Sequence, residues 1–246
     1  MSPRYTTLMA SLPPLGGLFE AREPAISRLK LQSRLALIHP DDRRSLDLAI
    51  GLLSQGLLDT ESEPATAPST AVNPARTRGP DAELLAEARR FFAEVSNPML
   101  RQLVSQRLDL RTVVAALRRR HRGESEPPRG REWGFGSLVA TIERHWSEPT
   151  LGLGGRFPWI AEAVRLLEGN DLIGLERQLF TLIWRDLDRL GQGHNFDFEA
   201  VILYLARWSL VERWSNYDAG AAAQRFRQLV SGGLGRFTDT LALRTA

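Results

Sequence analysis

The stretch 198–214 (FEAVILYLARWSLVERW) sets the tightest limit on what this chain can fold into. Phe198, Val201, Ile202, Leu205 and Trp208 fall at helical spacing on one face, and Leu203, Leu210, Val211 and Trp214 cover much of the rest. A helix that is apolar nearly all round has to be enclosed, by other helices or by lipid. Arg207 lies inside the stretch and Glu199 and Glu212 flank its apolar part, which falls well short of the roughly 20 clean apolar residues of a bilayer span. The helix is therefore expected at the centre of a packed core, with Phe198, Val201, Ile202, Leu205, Trp208 and Trp214 defining that core.

The surroundings read as further helices. After the turn signal at 13–17 (PPLGG), the stretch 23–37 places Ile26, Leu29, Leu31, Leu35 and Leu37 near helical spacing. Pro40, Asp41 and Asp42 suit a helix start, followed by Leu46, Leu48, Ile50, Leu52, Leu53 and Leu57. Asp81 is expected to cap a helix over 82–95, and a long helix follows over 99–120. Shorter ones are expected at 137–146 and 159–168, then another long one at 172–190. A final helix is expected at 221–230, and one short strand at 5–12.

Two segments lack a periodic apolar face. Residues 60–80 hold four prolines among small and polar residues and read as a linker, and 123–136 (GESEPPRGREWGFG) reads as an irregular loop. The expected organisation is an N-terminal helical segment over 1–59, the linker over 60–80, and a main helical domain over 81–246 against which 1–59 packs as one unit. The fold class is all-α, a multi-helix bundle.

Composition narrows the chemistry. The chain has no cysteine, which removes disulfides, thiolate nucleophiles and cysteine-held zinc or iron–sulfur groups. No secretory signal is visible in the first residues, so the expected location is the cytoplasm. Lys30 is the only lysine. Every other cation is arginine, which suits phosphate, but the net charge of +3 gives little long-range steering. Arg107, Arg111, Arg118, Arg119, Arg120 and Arg122 share one helix or its end and are the candidate contacts to a partner surface. Aromatic residues that would stack bases do not interleave with them, which weighs against nucleic acid.

The candidate metal group is Asp186, Asp188, His194 and Asp197 around the 191–193 turn, whose spacing fits no helix-face ligand motif. The plainer expectation pairs the two aspartates with Arg185 and Arg189 and makes Asn195 or Asp197 a helix cap. No nucleophile elbow or phosphate-binding loop is present, and 152–155 and 232–235 read as glycine turns. Of the six tryptophans, Trp159, Trp184, Trp208 and Trp214 sit at apolar helical positions and are expected mainly in the core, with one or two at an interface.

The stretches 5–15 (YTTLMASLPPL), 108–120 (LDLRTVVAALRRR) and above all 195–214 (NFDFEAVILYLARWSLVERW) resemble a bacterial family encoded with V/A-type ATPases. That family is itself similar to the C (also called d) stalk component of those rotary machines. The resemblance implies an all-helical wedge or socket between the central stalk and the membrane c-ring, transmitting torque with no catalysis, cofactor or small-molecule substrate. It places the chain at the cytoplasmic face of the membrane through protein contacts, without direct insertion. The chain is markedly shorter than a typical C-type stalk component, so an assembly or accessory factor of the same machine fits equally. The alternatives are an arginine-rich nucleic-acid-binding helical protein and a metal-dependent hydrolase using Asp186, Asp188 and His194.

Overall fold

The computed structural model of the chain describes residues 5–21, 23–54, 80–128 and 132–216. These form α1 (Thr6–Ser11), α2 (Arg28–Leu35), α3 (Pro40–Ser54), α4 (Pro80–Glu94), α5 (Pro98–His121), α6 (Leu138–Arg144), α7 (Trp159–Glu168), α8 (Leu172–Leu190) and α9 (198–216). Among the described residues there is no strand, and the fold is all-α.

Local chemistry places the main helix ends. The Asn97 side chain accepts from the Leu100 amide at 3.0 Å, and Pro98 takes the first helical position of α5, where a missing N–H goes unnoticed. Four basic residues, Arg118, Arg119, Arg120 and His121, occupy its last turn, where they favour the negative end of the helix dipole. Gly169 ends α7, and Asn170 adopts a left-handed φ of 53°, which asparagine tolerates. Asp171 then accepts from the Gly174 amide at 2.8 Å and starts α8. Asp197 does the same for α9, with the Ala200 amide at 3.0 Å.

The helices enclose two apolar clusters. The first draws on Tyr5, Leu8, Leu46 and Ala49 from the N-terminal segment, Ala88 and Phe91 from α4, Leu100 and Val104 from α5, Phe180 from α8, and Val201 and Ile202 from α9. The second is built from one contiguous stretch, including Val113, Ala116, Trp133, Ile142, Leu151, Ile160, Leu175 and Leu179. Helices α5 and α8 run through both.

The N-terminal segment packs against the rest of the protein through α3, which lies on α4 and α5, and through polar bonds to α9 and the residues just before it. The Trp208 indole N–H donates to the Ile26 carbonyl at 2.8 Å, the Tyr204 hydroxyl to the Pro13 carbonyl at 2.9 Å, and the Tyr5 amide to the Phe196 carbonyl at 2.9 Å. Buried polar groups require partners, and here the partners lie nearly 200 residues away in sequence. Phe198, Val201, Ile202, Leu205 and Trp208 are all buried, while Trp214 is half-buried, edge-on to Phe19 and Phe180.

Several expectations change. The stretch 5–12 holds helix α1 between its caps Tyr5 and Leu12, not a strand: Tyr5, Leu8 and Leu12 are buried at a spacing of three and four, which only a helix aligns. Helix α2 is shorter than 23–37; it buries Leu31 and Leu35, with Ile26 and Ile38 buried on either side of it, whereas Leu29 is 79% exposed and Leu37 56%. Helix α4 begins at Pro80, ahead of the expected start at 82. The described parts of 123–136 are irregular yet packed. Trp133 is buried against Trp146 with ring centroids 5.8 Å apart, and Phe135 stacks on Phe92 at 5.5 Å. Thr112 fixes that loop by accepting from the Phe135 amide at 3.0 Å. The expected linker up to residue 79 and the expected helix over 221–230 lie outside the described residues.

Candidate functional site

The two apolar clusters do not close completely on each other. A cavity of about 490 Å³ lies between them, where α5, α8 and α9 meet the end of α3 and the start of α7. Its volume falls within the range of small-molecule sites. Leu110, Val113, Leu138, Phe157, Leu182 and Ile183 supply much of its wall. Its charged members are Arg107, Arg156, Arg185 and Arg189, opposed by Asp109 and Asp186.

Arg107 is the unusual member. It is only 9% exposed, and its Nε and Nη1 have no hydrogen-bond partner. The third nitrogen, Nη2, donates to the Leu53 carbonyl at 3.3 Å, long for an N–H···O bond. Burial pushes the guanidinium pKa down to about 9, helped by the like charges of Arg213 and Arg111 and opposed by Glu176. The group therefore stays protonated at neutral pH. Glu176, itself buried, accepts from Arg213 Nε at 3.2 Å. On the same helix as Arg107, burial raises the Asp109 carboxyl above its ordinary range, partly offset by the charge of Arg156. Asp186 is paired with Arg189 at 2.8 Å.

The arginines expected to form one partner surface are divided by this packing. Arg107 is enclosed between the clusters, and Arg119 is 5% exposed with its Nη1 3.3 Å from Glu124. Both are corrected as surface contacts: α5 is buried on more than one face, so its arginines cannot all reach solvent. Arg120 donates to the carbonyls of Pro149 (3.1 Å) and Ser147 (3.4 Å), closing the loop after α6 onto α5. Arg122 pairs with Glu124 at 3.2 Å. Arg111 and Arg118 are half-buried.

The candidate metal group separates in the same way. Asp188 pairs with Arg207 at 2.8 Å and Asp186 with Arg189, so neither joins His194. His194 Nδ1 lies 2.6 Å from Asp197, whose other oxygen caps α9. Glu199 completes a trio whose ligand-type atoms lie within 4.8 Å of one another, but its carboxylate accepts from the Asn97 amide nitrogen at 3.1 Å. Burial pushes the Asp197 carboxyl up, and the His194 bond, the Ala200 amide and the His194 charge outweigh that, leaving it below its ordinary value. All three groups thus hold the starts of α5 and α9 in place. His145 likewise engages Glu148 at 2.8 Å, while Glu143 accepts from the Trp133 indole.

Sequence reasoning does not reveal the cavity. Arg107, set directly among Leu103, Val104 and Leu108, is the available signal, and it becomes informative only once α8 and α9 are packed over it.

Among the described residues, no helix is long and apolar enough to cross a membrane. No curated protein and no solved structure matches the chain. One family does match, over residues 81–232, a span that takes in both clusters' share of α4 to α9 and most of the cavity wall. That span is more than half of the 246 residues, and the chain belongs to this family, described as Protein of unknown function (DUF2764).

Proposed function

We propose that the protein is a non-catalytic helical subunit, or an assembly or accessory factor, of a V/A-type rotary ATPase, held at the cytoplasmic face of the membrane by contacts with the central stalk and the c-ring. The observation that carries the reading is the resemblance of 195–214 to the family encoded with those ATPases and, through it, to their C (d) stalk component. An all-helical body with charged side chains engaged in internal pairs is the kind of object a socket requires: stiff and held by many short contacts. The internal pairs of Asp186, Asp188 and His194 favour this over the hydrolase reading. The burial of Arg107 and Arg119 favours it over nucleic-acid binding, since phosphate contacts need reachable cations.

The test is affinity purification of a tagged copy from its native cell at native expression level. Rotary ATPase subunits are expected among the recovered proteins. Recovery of the tagged chain without any of them would contradict the proposal.

A further inference from the structure

The cavity between the two clusters combines two features that rarely occur together. Most of its wall is hydrocarbon, yet Arg107, a full positive charge at neutral pH, forms part of that wall with two of its three nitrogens unpartnered. A buried cation without partners is costly, and replacing it with an apolar residue would ordinarily improve stability. Sites that break a packing rule in this way are where a ligand's charge is expected to supply what the protein does not.

The other charges near Arg107 point to the sign of that ligand. Arg213 and Arg111 add positive charge, and the nearby Glu176 is already engaged by Arg213. Around the cavity as a whole, four arginines face two aspartates, one of them paired with Arg189. The long 3.3 Å bond to the Leu53 carbonyl is a weak restraint on the guanidinium, whose enclosed Nε and Nη1 must turn toward the cavity to meet a ligand. A singly charged head is favoured over a phosphate dianion, because the walls offer hydrocarbon contact and little to replace the extra lost hydration.

We propose that this cavity binds a small amphipathic carboxylate, its head on the Arg107 guanidinium and its apolar body against Leu110, Val113 and Leu182. A cavity of about 490 Å³ accommodates a medium-length hydrocarbon chain. The site stands apart from the ATPase reading, and either can fail without the other.

The experiment is calorimetric titration of the full chain with decanoate below its micelle concentration, beside decan-1-ol as a neutral probe of the same length. Saturable binding of decanoate at one site per chain is expected, at least tenfold tighter than decanol. Arg107→Met should weaken decanoate at least tenfold while leaving decanol unchanged, and Leu182→Trp, which fills the cavity, should abolish both. Absence of saturable decanoate binding would overturn the proposal, as would equal affinity for decanol or an unchanged affinity in Arg107→Met. The comparison of the two probes needs no variant and decides the matter even where a variant fails to fold.

Discussion

The two apolar clusters are made in different ways. The second is assembled from residues 113–179, close in sequence and joined by short connections, and it lies wholly inside the stretch that matches the family. The first needs residues 5–52, α4, half of α5, part of α8, and α9, and its N-terminal contributors lie outside that stretch. Contacts close in sequence cost less loop entropy to close than contacts between distant segments. The second cluster is therefore the more self-sufficient, and the first depends on α9 and Phe196 just before it reaching back to Ile26, Pro13 and Tyr5. The cavity lies where a locally built core meets a long-range one.

Removing residues 1–54 tests the difference most severely. Amide-exchange protection in α4 and α9 is expected to collapse while amides of α6 and α7 stay protected. Uniform loss across the chain would show that the clusters are not separable.

Single core truncations sharpen the comparison next. Phe91→Ala in the first cluster should cost about 3–5 kcal/mol, and Leu175→Ala in the second about 2–5 kcal/mol, by denaturant unfolding. Both side chains are fully enclosed. If the clusters unfold as one cooperative unit, the double variant should be additive to within about 0.5 kcal/mol. A biphasic transition would instead assign each cluster its own stability.

At the junction, Arg213→Met should cost about 2 kcal/mol, because it leaves the buried Glu176 carboxylate without its guanidinium partner, moderated by the partial exposure of Arg213. Thermal unfolding of Arg213→Met against the double change Arg213→Met, Glu176→Met checks this. The double variant should recover part of the loss, since neither member of the pair is then left without the other, while Arg107 loses the opposing charge of Glu176.

Many elements of this division are legible in the sequence, and the exceptions have identifiable causes. Helices α7 and α8 occupy the residues their pattern predicts, because Gly169, Asn170 and Asp171 stop one helix and start the next within three residues. The burial of α9 follows from apolar residues on every side. Helix α1 differs from the expected strand because Tyr5, Leu8 and Leu12 in so short a segment fit more than one period until the partner surface is known. Trp133 gives no core signal in the sequence since it lies among glycines and prolines, where burial is set by tertiary contact with Trp146 and not by periodicity. The arginines of α5 show the same limit. Sequence places them on one helix, but only the packing of α8 and α9 decides that Arg107 is enclosed and Arg122 is not.

The smallest expected effect concerns the start of α9, where the long-range cluster is fastened. Asp197→Ala should cost about 1 kcal/mol at pH 7 through loss of the cap to Ala200. The folded Asp197 carboxyl sits below its ordinary value, so its contribution is present above the unfolded pKa of about 4 and fades as pH falls through the lower folded value. The gap between the protein and the variant should therefore narrow below about pH 4 in unfolding curves taken across pH.

Above all, this helical body is proposed to work as a held part of a larger machine. The most direct measurement is the reciprocal purification: isolate the rotary ATPase through a tag on one of its own stalk components and quantify this chain by mass spectrometry. The prediction is that the chain appears at a fixed ratio to the stalk, in the finished complex or in an assembly intermediate. An ATPase recovered whole, with intermediates resolved and this chain absent from all of them, would contradict it.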